Sequence, residues 1–262
     1  MTLSTHEALS KRQRFIVYES LLQKTDARDK FSKLVQMTCK LLMWSGRVAG
    51  ANAEVAKRII AELAICRTLI RLGKCFYAFA PTLKKWGTWS PRQLQILMTH
   101  HVSGIFADGI PDLTWMLKVS GLWSNVGASV RLRMLKTSQV GALIGHVVSF
   151  YLSLNVLSAS DGALRSAAAA AARRRDAIND AVVAEAETKQ LVGRIAFVKV
   201  ACDLIGATNS TFELGMPSHI AWMFGWTGAA SACVKHWLKA RESSFPAETR
   251  RALAWQNERK RA

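Results

Sequence analysis

Two stretches of the chain carry no Asp, Glu, Lys or Arg over lengths that match a lipid bilayer. Thr137 to Ser160 is 24 residues long and centres on VGALIGHVVSFYLSLNVL, and Leu214 to Val234 is 21 residues, LGMPSHIAWMFGWTGAASACV. A membrane-spanning helix needs about 20 predominantly apolar residues. Soluble helices normally show a charge every turn, so the pattern predicts two transmembrane helices, 137–160 and 214–234. Upstream, the apolar residues recur at helical spacing instead. From Asp29 to Trp44, Phe31, Leu34, Val35, Thr38 and Leu42 share one face, with Lys33, Lys40 and then Arg47 opposite. A Gly/Ala/Asn stretch from Gly46 to Ala53 breaks this helix.

A second long helix is predicted over Lys57 to Phe79, ending near Pro81. At 100° per residue Arg67, Arg71 and Lys74 form one narrow stripe. Ile59, Leu63, Cys66, Leu69, Ile70, Leu72 and Phe76 occupy most of the remaining circumference. A wide apolar face with a thin basic strip suits shallow insertion between headgroups and acyl chains, where each basic group near anionic lipid contributes about 1 kcal/mol. The competing expectation is a solvated basic edge on a core helix. Ser90-Pro91-Arg92-Gln93 marks another helix start, with an N-cap serine, proline at the first turn and a capping-box glutamine. The stretch after it, interrupted by Asp108, Gly109, Pro111 and Asp112, reads as an interfacial or re-entrant hairpin. Ser4 and Glu7 have capping-box spacing as well.

These elements give an all-α fold with six regions: an amphipathic-helix region (1–90), an interfacial region (91–136), a first span (137–160), an Ala/Arg-rich helical loop (161–213), a second span (214–234) and a basic tail (235–262). Small residues recur every fourth position in both spans: Gly141, Gly145, Ser149 and Ser153 in the first, and Ala221, Gly225, Ala229 and Cys233 in the second. Such ridges let helices approach closely in lipid. They serve either packing of the two spans on each other or contacts in a homo-oligomer.

Charge adds orientation. The formal net charge is +18. Residues 1–136 hold 21 basic and 8 acidic side chains, residues 161–213 hold 7 of each, and residues 235–262 hold 8 and 3. The positive-inside bias then expects both termini in the cytosol and the neutral loop on the far side. A basic, apolar chain points to anionic lipid as its partner. Nucleic acid is not expected, because aromatic–basic interleaving and groove-reading motifs are missing. Five scattered cysteines without a C-x-x-C pattern give no disulfide framework or zinc site. No secretory signal peptide is recognised. Hydrolase, zinc-protease, nucleotide-binding and carrier motifs are missing, so neither catalysis nor a cofactor is expected. His100, His101, Asp108 and Asp112 are the sole metal-like cluster, and Gly109 and Pro111 interrupt their shared face.

Five short motifs, in order, resemble those of the peroxisomal membrane elongation and division proteins, the peroxin eleven family. They are Arg28-Asp29-Lys30 with Lys33-Leu34-Val35-Gln36, then Arg67 with Arg71-Leu72-Gly73-Lys74, then Asp112-Leu113 with Trp115 and Gly121-Leu122, then Cys202-Asp203-Leu204, and finally Gly225, Gly228, Ser231 and Trp237. The similarity runs from about residue 25 to 240. It implies a peroxisomal or glycosomal membrane protein that self-associates and tubulates the membrane through its amphipathic helix. It further implies hand-over to a dynamin-like GTPase and its membrane adaptor, and delivery by a peroxisomal membrane-protein import receptor. The long polyalanine–arginine loop departs from the usual pattern. An oligomeric pore or metabolite channel, using polar His146 and Asn155, is the competing expectation. The terminal Arg259-Lys260-Arg261-Ala262 resembles an endoplasmic-reticulum retrieval signal, but a basic cytosolic tail is the preferred reading.

Overall fold

A computed structural model of the chain describes residues 24–74, 89–173 and 177–244. The Ser4/Glu7 box, Phe76 and the terminal basic run lie outside the described residues. Within them every regular element is helical: α1 (Thr25–Trp44), α2 (Ala51–Arg71), α3 (Pro91–Gly104), α4 (Ile110–Val119), α5 (Ala128–Arg173), α6 (Ala177–Phe212) and α7 (Ser218–Ser244). Helix α1 starts four residues before the expected Asp29. The break after it is confined to Ser45–Gly50, where Gly46 and Gly50 take positive φ of 71° and 58°. Only glycine adopts such angles without strain, so α2 starts at Ala51 and not at Lys57. It also ends at Arg71, because Leu72 turns extended and Gly73 takes φ 72°.

The predicted start of α3 is realised in full. Gln93 N–H donates to the Ser90 hydroxyl at 3.4 Å and Ser90 N–H donates to Gln93 Oε1 at 3.2 Å, with Pro91 in the first turn. The expected interruption beyond it is milder than a hairpin. A five-residue π turn, Ile105–Gly109, carries the chain straight into α4, with Pro111 directly after it.

Helix α5 runs through 46 residues, about 69 Å at 1.5 Å per residue, well past the Ser160 boundary. The alanine-rich segment continues it instead of forming a separate linker. Helix α6 then returns along α5, and α7 runs back along α6. Around the bundle the order is α2, α1, α7, α6, α5, α3, each packed on the next. The ends of this series meet where Arg71 pairs with Asp108 and Gly73 N–H donates to Asp112 at 2.9 Å.

This arrangement bears on the two expected spans. One described helix, Ala128–Ala172, is long and apolar enough to cross a membrane, and 6% of its apolar window is buried within the protein. In the second predicted span, Leu214–Pro217 is a non-helical turn with positive φ at Glu213 and Gly215. The starts of α5 and α7 also lie at the same end of the bundle, since Lys136 pairs with Glu213 and Thr211 Oγ1 donates to Gln139 O at 3.2 Å. A two-span hairpin needs them at opposite ends.

The burial pattern is inverted relative to a soluble bundle. Fully buried apolar side chains are small, among them Ala27, Ala56, Ala229, Ala232 and Ala240, whereas Val147, Leu154, Val198, Ile205, Met223 and Trp226 lie on the outside. Asp29, Gln36, His101 and Ser103 are inside. Soluble proteins bury the large apolar residues and expose the charged ones.

Close packing on α5 is testable at glycine. A Cβ on Gly141 would stand 2.7 Å from the Phe106 Cβ and 3.0 Å from the Ser103 carbonyl, while Gly162 on the same helix has nothing within 4 Å. Gly141→Ala is expected to destabilise the fold by about 1–3 kcal/mol through overpacking. Gly162→Ala is expected to stabilise it by about 0.4–1 kcal/mol. Detergent-resolved thermal unfolding of both variants checks the difference in sign.

Candidate membrane-binding site

Helix α2 has two faces that differ in chemistry. Toward α1 it turns Ala56, Ile60, Leu63, Arg67 and Ile70, at the i, i+4, i+7 spacing of one helical stripe. Outward it turns Val55, Ile59, Ile65, Cys66, Leu69 and Leu72. Leu69 is 50% exposed and Leu72 40%. From Ile59 to Leu72, Glu62 is the one charge on the exposed face.

The basic stripe lies on the other side, and each of its three members meets a carboxylate. Arg67 Nε donates to Asp29 Oδ1 at 2.9 Å and its Nη1 to Gln36 Oε1 at 2.7 Å. Gln36 in turn donates to the Ile60 carbonyl at 2.7 Å. Arg71 pairs with Asp108, and Lys74 with Asp26 at 3.0 Å. Asp26 also meets His236 on α7 at 3.0 Å. The stripe read from the sequence as a headgroup contact is therefore the seam that fastens α2 to α1 and to the π turn.

Asp29 is 1% exposed and stays ionised. Burial pushes its carboxyl up, but Lys30, Arg67 and Arg71 outweigh that and hold it below the ordinary value of 3.8. The His236 hydrogen bond, opposed by burial and aided by Lys74, holds Asp26 far below the same value. Lys30 feels the reverse. Burial depresses its ammonium to about 8 despite the attraction of Asp29. The seam continues inward through Lys33 and Lys199, which meet Asp203 at 3.3 and 2.9 Å. Asp29, Asp203 and Asp112 stand in the resembling motifs, but the sequence assigns them no partners. For Asp203 and Asp112 the signal is an acidic residue among apolar ones, whereas Asp29 lies between Arg28 and Lys30.

The small-residue ridges take unlike partners. Gly141 and Gly145 admit Ser103 and Phe106 of α3 and the π turn, and Ser153 borders a groove facing α6 and α7. Gly225 admits Met37 of α1, with its Cβ position 3.2 Å from the sulfur, and Ala229 is buried. Helix α6 lies between α5 and α7, so the ridges of the two predicted spans do not meet. Asp108 and Asp112 serve Arg71 and Gly73, and no group of three metal-competent side chains occurs among the described residues.

Removing one member of a buried ion pair leaves the other uncompensated, at a cost of about 3–5 kcal/mol. Asp29→Ala is expected to lower the unfolding free energy by that amount, with Arg67 stranded. Because Asp26 and Asp29 titrate below their unfolded value, their contribution is complete above about pH 4 and is lost as pH falls through the folded values. Acidification from pH 5 to pH 2 is expected to lower the thermal midpoint of wild type and to affect Asp29→Ala less, as read by circular dichroism.

No curated protein and no solved structure matches the chain, whereas the family model for Peroxisomal biogenesis factor 11 (PEX11) matches residues 17–238. The match covers all five motifs and every helix that builds the seam. The chain belongs to the PEX11 family of peroxisomal biogenesis factors, which acts in proliferation and division of the peroxisomal membrane.

Proposed function

We propose that this chain elongates the peroxisomal membrane, without catalysing a reaction, by wedging the outer face of α2 into one leaflet beside an embedded α5–α7 unit. One observation carries the reading: the apolar side chains Ile59, Ile65, Leu69 and Leu72 stand outward while the basic stripe is neutralised inward. A charged stripe paired in this way holds the wedge at a fixed angle. Area added to one leaflet by an apolar helix face favours curvature. Anionic lipid contacts then fall to cations outside the stripe, such as Arg58, exposed on α2. Self-association and hand-over to a dynamin-like GTPase and its adaptor complete the proposed route to fission, with a peroxisomal membrane-protein import receptor delivering the chain.

Full-length protein reconstituted into vesicles containing anionic phospholipid is expected to draw tubules visible by negative-stain microscopy. Leu69→Glu with Leu72→Glu is expected to abolish them while leaving helix content unchanged. Tubules of equal number from the double variant would refute the wedge. The polar interior, with Lys33, Lys199 and Asp203 beside His146, favours a second reading as an ion or metabolite pore. It requires stepwise conductance in planar bilayers that falls with Asp203→Asn.

A further inference from the structure

A groove of about 560 Å³ opens between α5, α6 and α7 on the side away from the α2 wedge. Its floor is apolar, with Leu152, Val156 and Val192, and Lys189, Lys235 and Lys239 stand around it. Ligand sites for small amphiphiles fall in this size range and combine an apolar lining with a few convergent polar groups.

The three ammonium groups are unevenly compensated. Lys189 has Glu185 at 2.8 Å on its own helix. Lys235 and Lys239 are at i, i+4 on α7, so their side chains share one face. The carboxylate that acts on Lys235 is Asp26, and Asp26 is already held by His236 and Lys74. Among the described residues no carboxylate forms an ion pair with Lys235 or Lys239, so an anion would complete this end of the groove. Along the groove the outer surface is apolar, with Leu154, Val156 and Leu191 exposed, so an occupant can enter laterally from the acyl layer.

We propose that this groove binds an anionic phospholipid, one acyl chain along Leu152, Val156 and Val192 and the phosphate between Lys235 and Lys239. The lipid would fasten α7 to the α5–α6 pair where those helices emerge from the bilayer. This site is independent of the α2 wedge.

Full-length protein in neutral nanodiscs, doped with a phosphatidylglycerol that carries a photoreactive group in its acyl chain, tests the site. Cross-links are expected on peptides covering residues 152–160 and 188–196. Lys235→Gln with Lys239→Gln is expected to reduce them about thirty-fold, the product of the gain each basic group makes near anionic lipid. Lys235→Arg with Lys239→Arg, which keeps the charge, is expected to retain them, as is Leu69→Glu. Equal labelling by a phosphatidylcholine probe would overturn the proposal, and so would labelling indifferent to the glutamine pair or lost in Leu69→Glu. Displacement by free oleate as effective as by unlabelled phosphatidylglycerol would assign the groove to a free carboxylate instead, and likewise overturn it.

Discussion

A carboxylate sealed between helices must bring its countercharge with it, and in this fold that carboxylate is Asp29. It lies 1% exposed on α1 and is held by Arg67 from α2 and by its neighbour Lys30. Leaving either sign alone costs several kcal/mol, so the pairing dictates which way α2 rolls about its axis. Once Arg67 faces α1, Arg71 and Lys74 face Asp108 and Asp26 on the same stripe. Leu69 and Leu72, which lie between them in sequence, must then point out, while Ile70 stays on the α1 side.

The same inversion runs through the rest of the bundle. Asp203 on α6 draws Lys33 from α1, and Asp26 joins α1 to His236 on α7. Glycine and alanine fill the tight crossings, as where Phe106 sits over Gly141 and Met37 over Gly225. Polar groups inside, small residues at the crossings and bulky apolar groups outside are what a helical protein needs when lipid replaces water around it. In that setting van der Waals contact and internal polar pairing must drive association, because lipid tails offer no hydrophobic force between helices. Membership of a peroxisomal membrane family fits that surface.

Much of this was legible in the sequence. The Ser90-Pro91-Gln93 start, a helical break opening at Gly46 and the apolar run in α5 follow from local chemistry and appear in the structure, although the break ends at Gly50 and not at Ala53. The partners of the basic stripe were not legible, since Asp29, Asp108 and Asp26 are 38, 37 and 48 residues away from the side chains they hold. Periodicity says that α2 has a basic and an apolar face but not which of them meets protein. In water the apolar face would turn in; here the charged one does. Phe31 on α1, which shares a face with Leu34, Val35 and Leu42, likewise stands 53% exposed. The run from 161 to 213 was readable as helix, yet its return along α5 depends on alanine and glycine contacts such as Gly193 against Ser160, which leave no pattern at long range.

The orientation of α2 is the point on which the mechanism turns, and fluorescence quenching by brominated acyl chains measures it directly. Single cysteines at Ile65, Leu69 and Leu63, each carrying an environment-sensitive label in vesicle-bound full-length protein, report which side of the helix meets lipid. Strong quenching at 65 and 69 with little at 63 is the expected result. Strong quenching at 63 with protection at 65 and 69 would mean that the opposite face lies in the bilayer, and would contradict the paired-stripe arrangement.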